Sequence, residues 1–295
     1  MSVLEFMELE YFPHVSTTLS VSTVDGYKKL FRAYGRYFEP ATLDMRTGEA
    51  QAILRSIALI NPQLNKTSLG HIKHFFGGVW THAIRMDQCS NNPWRYVALP
   101  SAPEAGETHA YSPETIETII EATPAPYDLI VLLAATTGLR KSEIRGLRWS
   151  DWGPETSTLT VNRAVWGAHT GSTKSRASKA PVPVVPALAV RLTAALPKGP
   201  KCTGWMFPGA TGRPLDLDNL TRRVIKPALA KNTWRGWHAF RRGLATYLHA
   251  QGVPDKDIQA ILRHENVTLT QKCYVKTIPA NVRAAMSTVK FGETR

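Results

Sequence analysis

Thr136-Thr-Gly-Leu-Arg-Lys-Ser-Glu-Ile-Arg-Gly-Leu-Arg-Trp-Ser-Asp151 closes one helical pattern and opens another. Tyr127–Thr137 is apolar and of helical length, and Gly138 stops it, because glycine accepts the left-handed conformation that follows many helices. Arg140 then stands at the start of the next helix, with Glu143 one turn on. A guanidinium so placed can grip two phosphate oxygens through its planar fork, and a neighbouring carboxylate can hold it in position. Taken alone, an Arg/Glu pair is an ordinary solvent-facing feature of a surface helix.

Downstream, Thr158–Val165 alternates as a strand, and Ala180-Pro-Val-Pro-Val-Val185 is a second extended run whose prolines keep it at a sheet edge. The stretches Ala187–Leu196, Leu217–Leu229, Ala239–Gln251 and Asp255–Arg263 carry helical patterns. Upstream, Tyr27, Leu30, Phe31, Tyr34 and Phe38 recur at spacings of three and four, as do Leu69, Ile72, Phe76, Val79, Ala83 and Met86, with Ile53, Ile57 and Ile60 between them. These stripes are first of all the core of a small helical bundle. Leu99-Pro-Ser-Ala-Pro-Glu-Ala-Gly-Glu107 has no periodicity and suits a linker. Ser112-Pro-Glu114 beyond it supplies a cap, a first-turn proline and an acid for the positive helix end. The expected fold class is mainly α (α+β): a helical domain over residues 1–100, a linker over 101–108, and a mostly helical domain with a small antiparallel sheet over 109–295.

The formal charge of +13 points to a polyanionic partner, and nucleic acid is the obvious one. Residues 1–100 contribute a net +2 and residues 101–295 a net +11, so the excess sits in the second domain. Cys89, Cys202 and Cys273 are odd in number and widely spaced, which reads as reduced thiols in a cytoplasmic protein rather than a disulfide frame or a zinc site. The opening Met1-Ser-Val-Leu-Glu-Phe-Met-Glu8 has acids where a signal peptide needs basic residues, and no stretch approaches the ~20 apolar residues of a membrane span.

Three further segments carry chemistry. Gly171-Ser-Thr-Lys-Ser-Arg-Ala-Ser-Lys-Ala-Pro-Val-Pro-Val184 presents Lys174, with Arg176 and Lys179 as rivals for the same work; an ammonium on a flexible stem can give a proton to a leaving alkoxide. Trp237-His-Ala-Phe-Arg-Arg-Gly-Leu-Ala-Thr-Tyr-Leu248 sets His238 and Arg241 one turn apart on one helical face. Ile261-Leu-Arg-His-Glu-Asn-Val-Thr-Leu-Thr-Gln-Lys-Cys-Tyr274 follows with His264 and Tyr274. Each is weak in isolation, since a His-x-x-Arg pair is common on helices and a late tyrosine is usually packing or surface. Their ordered joint occurrence is specific.

Taken in order, these segments resemble the tyrosine recombinase (phage integrase) family over about residues 108–280. The resemblance implies a catalytic set of Arg140, Lys174, His238, Arg241, His264 and Tyr274. In that set Tyr274 attacks a DNA phosphodiester to form a 3'-phosphotyrosine link, and the cations stabilise the phosphorane. It implies no metal, no cofactor and no ATP, double-stranded DNA with specific recombination sites as partner, and a homotetramer on synapsed DNA. After Pro279, Val282, Ala285, Met286 and Val289 recur at three and four as the apolar face of a short helix; the resemblance implies that it docks on a neighbouring protomer, and folding back on its own domain is the alternative. Three positions depart from the pattern. Ala180, with Lys179 beside it, stands where a basic residue is usual shortly before the Val-Pro, Arg242 where histidine is usual, and Arg263 where glycine is usual at a helix end that favours positive φ. Two alternatives stay open: a type IB topoisomerase-like enzyme that reseals the same strand, and a catalytically inactive DNA-binding relative.

Overall fold

The computed structural model describes residues 1–172, 180–197, 203–266, 268 and 271. The chain divides into two compact units, Met1–Glu107 and Thr108–Arg295. Both are mainly helical, and small antiparallel sheets occur in the second.

In the first unit the helices Val21–Tyr34, Thr47–Ile60 and Lys66–Arg85 turn the expected apolar stripes inward, except that Ile60 at the end of the second is exposed. Leu69, Ile72, Phe76, Val79 and Ala83 are all buried, while Met86 ends exposed just past the helix. A helical stretch from Val3 to Thr18, which periodicity does not announce, packs into the same core through Phe6, Met7, Tyr11 and Val15. Ser2 and Glu5 cap it reciprocally. Its middle turn, Met7–Tyr11, is widened to a π-helical turn ahead of Pro13. A proline inside a helix lacks its N–H and crowds the carbonyl four residues back, and a wider turn relieves both.

The second unit repeats that device. The expected helix Leu217–Leu229 is Leu217–Leu220, a widened turn Thr221–Ile225, and a last turn Lys226–Ala228 containing Pro227. The expected strand over Thr158–Val165 is two strands. Thr158–Leu159 lies between Trp152–Gly153 and Val182–Pro183 in a three-stranded antiparallel sheet, whereas Arg163–Trp166 pairs with His169–Ser172 in a separate hairpin. At the break the buried Asp151 accepts from Arg163 Nη1 at 2.6 Å and from Asn162 Nδ2 at 3.2 Å. The helices Pro113–Ala122, Asp128–Thr137, Pro186–Ala195 and Trp237–Ala250 surround a core of Ile119, Ile130, Leu133, Leu188 and Phe240. Gly243 lets the last of these approach the chain at Tyr111, where an added Cβ would stand 2.5 Å from the Tyr111 carbonyl oxygen.

Among the described residues no helix is long and apolar enough to cross a membrane.

Candidate functional site

The helix Asp128–Thr137 stops where its sequence says it must, with Gly138 at φ 60° and ψ 21°. Arg140 is extended and caps the next helix, Lys141–Gly146. Glu143, in the first turn, accepts from the Arg140 backbone N–H at 2.9 Å through Oε2 and from Arg140 Nη1 at 2.7 Å through Oε1. The carboxylate is buried while the guanidinium keeps 30% of its surface, so the ion pair holds a partly open cation over a closed base.

The helix Trp237–Ala250 delivers His238 and Arg241 one turn apart. Arg241 is buried and stitches distant segments together: Nη1 donates to the Gly138 carbonyl at 2.6 Å, Nη2 to the Leu262 carbonyl, and Nε to His264 Nε2 at 3.1 Å. Because His264 Nε2 accepts, the ring is neutral with its proton on Nδ1. Burial, then the charges of Arg241, Arg140 and Arg263, push its pKa down to about 4. His238 is exposed, and its pKa is lowered by partial desolvation and then by Arg242, Arg241, Arg140 and Lys141. Arg140, His238, Arg241 and His264 thus share one electropositive neighbourhood, although they come from three separate stretches of chain.

His264 follows the helix Asp255–Leu262, whose end turns through Arg263 at φ 54° and ψ 45°. The left-handed turn associated with glycine therefore forms with arginine, at a conformational cost of roughly 1–2 kcal/mol. The Arg263 side chain forms a buried ion pair: Nη2 donates to Glu143 Oε2 at 2.7 Å, with both side chains almost wholly enclosed. Burial alone would raise the Glu143 pKa, but Arg263 and Arg140 together hold it below the ordinary carboxylate value. Sequence reasoning assigned Glu143 to Arg140 and marked Arg263 as a departure. It missed that the two arginines share one carboxylate. The signal was present as an arginine replacing glycine beside a site histidine.

Arg242, the other departure, donates through Nε to the His109 carbonyl at 2.7 Å and so ties the start of the second unit to this helix. Tyr111 is buried, and its hydroxyl accepts from the Arg235 backbone N–H at 2.6 Å. Lys174, its rivals Arg176 and Lys179, Tyr274 and the segment around Val282 lie outside the described residues. Among the described residues there is no group of three or more His, Cys, Asp or Glu side chains placed to hold a metal ion.

The sequence model of the phage integrase family matches residues 111–279. A XerC-like tyrosine recombinase of Caldanaerobacter subterraneus is 26% identical over an alignment of 251 residues that covers 74% of this chain. The alignment takes in 64% of that relative, so the chain spans less than two thirds of its length. Among solved structures, the Tn1549 transposon integrase in complex with transposon right end DNA superposes with a TM-score of 0.77 at 19% identity, over 98% of this chain and 99% of that one. A lambda integrase from a tetramer bound to a Holliday junction gives 0.66 at 18% identity, over 93% of this chain and 77% of its own. At such identities the structural likeness speaks for the fold.

Proposed function

Because this chain belongs to the phage integrase family, we propose that it is a site-specific DNA recombinase that cuts and rejoins strands through a tyrosine nucleophile. The observation that carries the reading is the bond between Arg241 and a neutral His264 in the neighbourhood of Arg140. A stable fold has no need to gather cations and unprotonated imidazoles in one place, whereas a phosphoryl-transfer centre needs both.

In this mechanism the Tyr274 phenol oxygen attacks phosphorus in line. A bond forms from that oxygen to phosphorus and the bond to the 5' oxygen breaks. His238 takes the phenolic proton, and Lys174 gives one to the departing 5' oxygen. Arg140, Arg241 and His264 stabilise the charge on the phosphorane's non-bridging oxygens. One phosphodiester is exchanged for another, so no ATP is consumed, and the freed 5' hydroxyl of a partner strand then attacks the phosphotyrosine link and rejoins the DNA. The partner is double-stranded DNA carrying specific sites, and the net charge of +13 supplies the attraction to it. The working assembly is a homotetramer on synapsed DNA, a reading supported by the lambda integrase tetramer, and the setting is the cytoplasm. In this reading residues 109–295 are the catalytic domain and residues 1–100 a helical core-type DNA-binding domain.

The test is a suicide substrate bearing a nick beside the scissile phosphate of the chain's own recombination site. The wild-type protein should accumulate a covalent 3' adduct that Tyr274→Phe abolishes while DNA affinity stays nearly unchanged. Absence of any adduct would leave a DNA-binding protein only. Resealing without exchange between two duplexes would make the enzyme a strand-relaxing topoisomerase.

A further inference from the structure

Glu143 is shared between two arginines whose surroundings differ. Arg140 keeps 30% of its side-chain surface, and Arg263 keeps 1%. If Arg140 and Glu143 stood alone they would form a neutral pair, and a phosphate approaching Arg140 would compete with a carboxylate already bound at 2.7 Å. Arg263 changes that balance from the buried side. Its Nη2 reaches Oε2, the same oxygen that receives the Arg140 backbone N–H, while the Arg140 side chain is on Oε1. The three side chains together carry one net positive charge, and its open end is Arg140.

The position of Arg263 argues that the charge, rather than the turn, is what the residue provides. The backbone there is left-handed, which glycine or asparagine adopts more cheaply than arginine. A long cation at such a place, buried and aimed at a carboxylate 120 positions away in sequence, is an expensive way to end a helix.

We propose that Arg263 is a positioning residue: by neutralising Glu143 from the interior, it leaves Arg140 a net cationic anchor for a phosphate group. The inference rests on the reading of Arg140 as a phosphate-binding group, and it can be tested without any cleavage.

Inorganic phosphate serves as the probe, titrated against the full chain and followed by the ring signals of His238 and His264. Arg263→Asn keeps a residue suited to the left-handed turn but makes the Arg140–Glu143 pair neutral, so phosphate should bind about tenfold more weakly, as expected for loss of one unit charge a few ångströms away. Glu143→Gln combined with Arg263→Asn restores the net charge. Glutamine still completes the reciprocal cap at this position, and both partners of the buried pair are gone together, so no lone buried charge remains. The double variant should therefore recover binding to within about threefold of wild type. A purely structural Arg263 would give the opposite order, with the double variant at least as weak as the single. Should Arg263→Asn fail to fold, Arg263→Lys and the double variant carry the test, and a tenfold loss in either overturns the proposal. Wild-type-like phosphate binding by Arg263→Asn overturns it equally. The suicide-substrate adduct is scored separately, so a protein that shows this phosphate pattern but forms no adduct refutes the recombinase reading and leaves the charge relay standing.

Discussion

Both units bury rings, but the second buries charges beside them. Phe6, Phe38, Phe75, Phe76, Trp80 and Trp94 fill the first core, with Phe38 and Phe76 stacked at 4.0 Å and Phe76 and Trp94 at 5.5 Å. The second encloses Glu143, Arg241, Arg263 and His264 beside a core that mixes aliphatic side chains with Trp149, Trp152, Trp237 and Phe240. Burial of a polar group is not by itself what separates them, because the first unit also encloses His82. The difference lies in partners. Among the described residues neither ring nitrogen of His82 has a hydrogen-bond partner, and the ring stacks on His14 at 4.2 Å, whereas the enclosed charges of the second unit answer one another through directed bonds. Desolvating several ionisable groups is costly and seldom repaid in stability, so an ordered cluster of them marks a place where the chain maintains chemistry.

The sharpest way to break this comparison is to damage each unit in its own currency. Phe76→Ala removes a ring that touches Phe38, Phe75 and Trp94, and truncating a fully buried aromatic typically costs about 3–5 kcal/mol. Urea unfolding should show that loss in the first unit, while the rate of adduct formation at saturating DNA stays that of the wild type. A matching fall in the chemical rate would mean that the aromatic core shapes the reaction as well as the fold.

Arg140→Ala should do the reverse. The backbone N–H that Glu143 accepts is kept, and Arg263 still neutralises the carboxylate, so thermal unfolding should shift little. Losing one preorganised donor to a developing oxyanion typically slows the chemical step ~100- to 1,000-fold. A variant that keeps more than about a third of the wild-type rate would reduce Arg140 to an ordinary backbone contact.

What could be read beforehand, and what could not, follows the same division. Local signals were legible: the three- and four-residue spacing behind Lys66–Arg85, the stop at Gly138, the cap at Ser112, and the proximity of Arg140 to Glu143 and of His238 to Arg241. The helical stretch from Val3 was not, since its acids and Pro13 obscure a pattern that a widened turn rescues. Nor was the interruption of the strand at Asn162, where the side chains bond to the Asp151 carboxylate and nothing in the alternation marks the break. Arg263 was visible as an anomaly but not as a partner of Glu143, since 120 residues separate them and only the folded chain brings them together.

The smallest expected effect is also the most discriminating, since one substitution should act with opposite signs in the two units. His82→Phe replaces a buried ring whose nitrogens find no hydrogen-bond partner among the described residues by one of similar shape amid Phe6, Tyr11 and His14, and should stabilise the first unit by about 1–3 kcal/mol, the cost of leaving such groups unsatisfied. His264→Phe removes the imidazole that accepts from Arg241 Nε and should destabilise the second unit by a similar amount. Acid sharpens the contrast. Both histidines have folded pKa values below the ordinary one, His82 through burial and then the charge of His14, His264 to about 4. Between pH 6.5 and 4 the unfolded chain therefore binds more protons than the native one, so the stabilisation of neutral His264 is present above pH 6.5 and lost as pH falls through about 4. Each phenylalanine variant should flatten that acid loss in its own unit, one from a higher plateau and the other from a lower. Hydrogen exchange of the helices Lys66–Arg85 and Trp237–Ala250, measured at neutral pH and near pH 5, separates the two units; equal and same-signed shifts would show that buried imidazoles play one role in both.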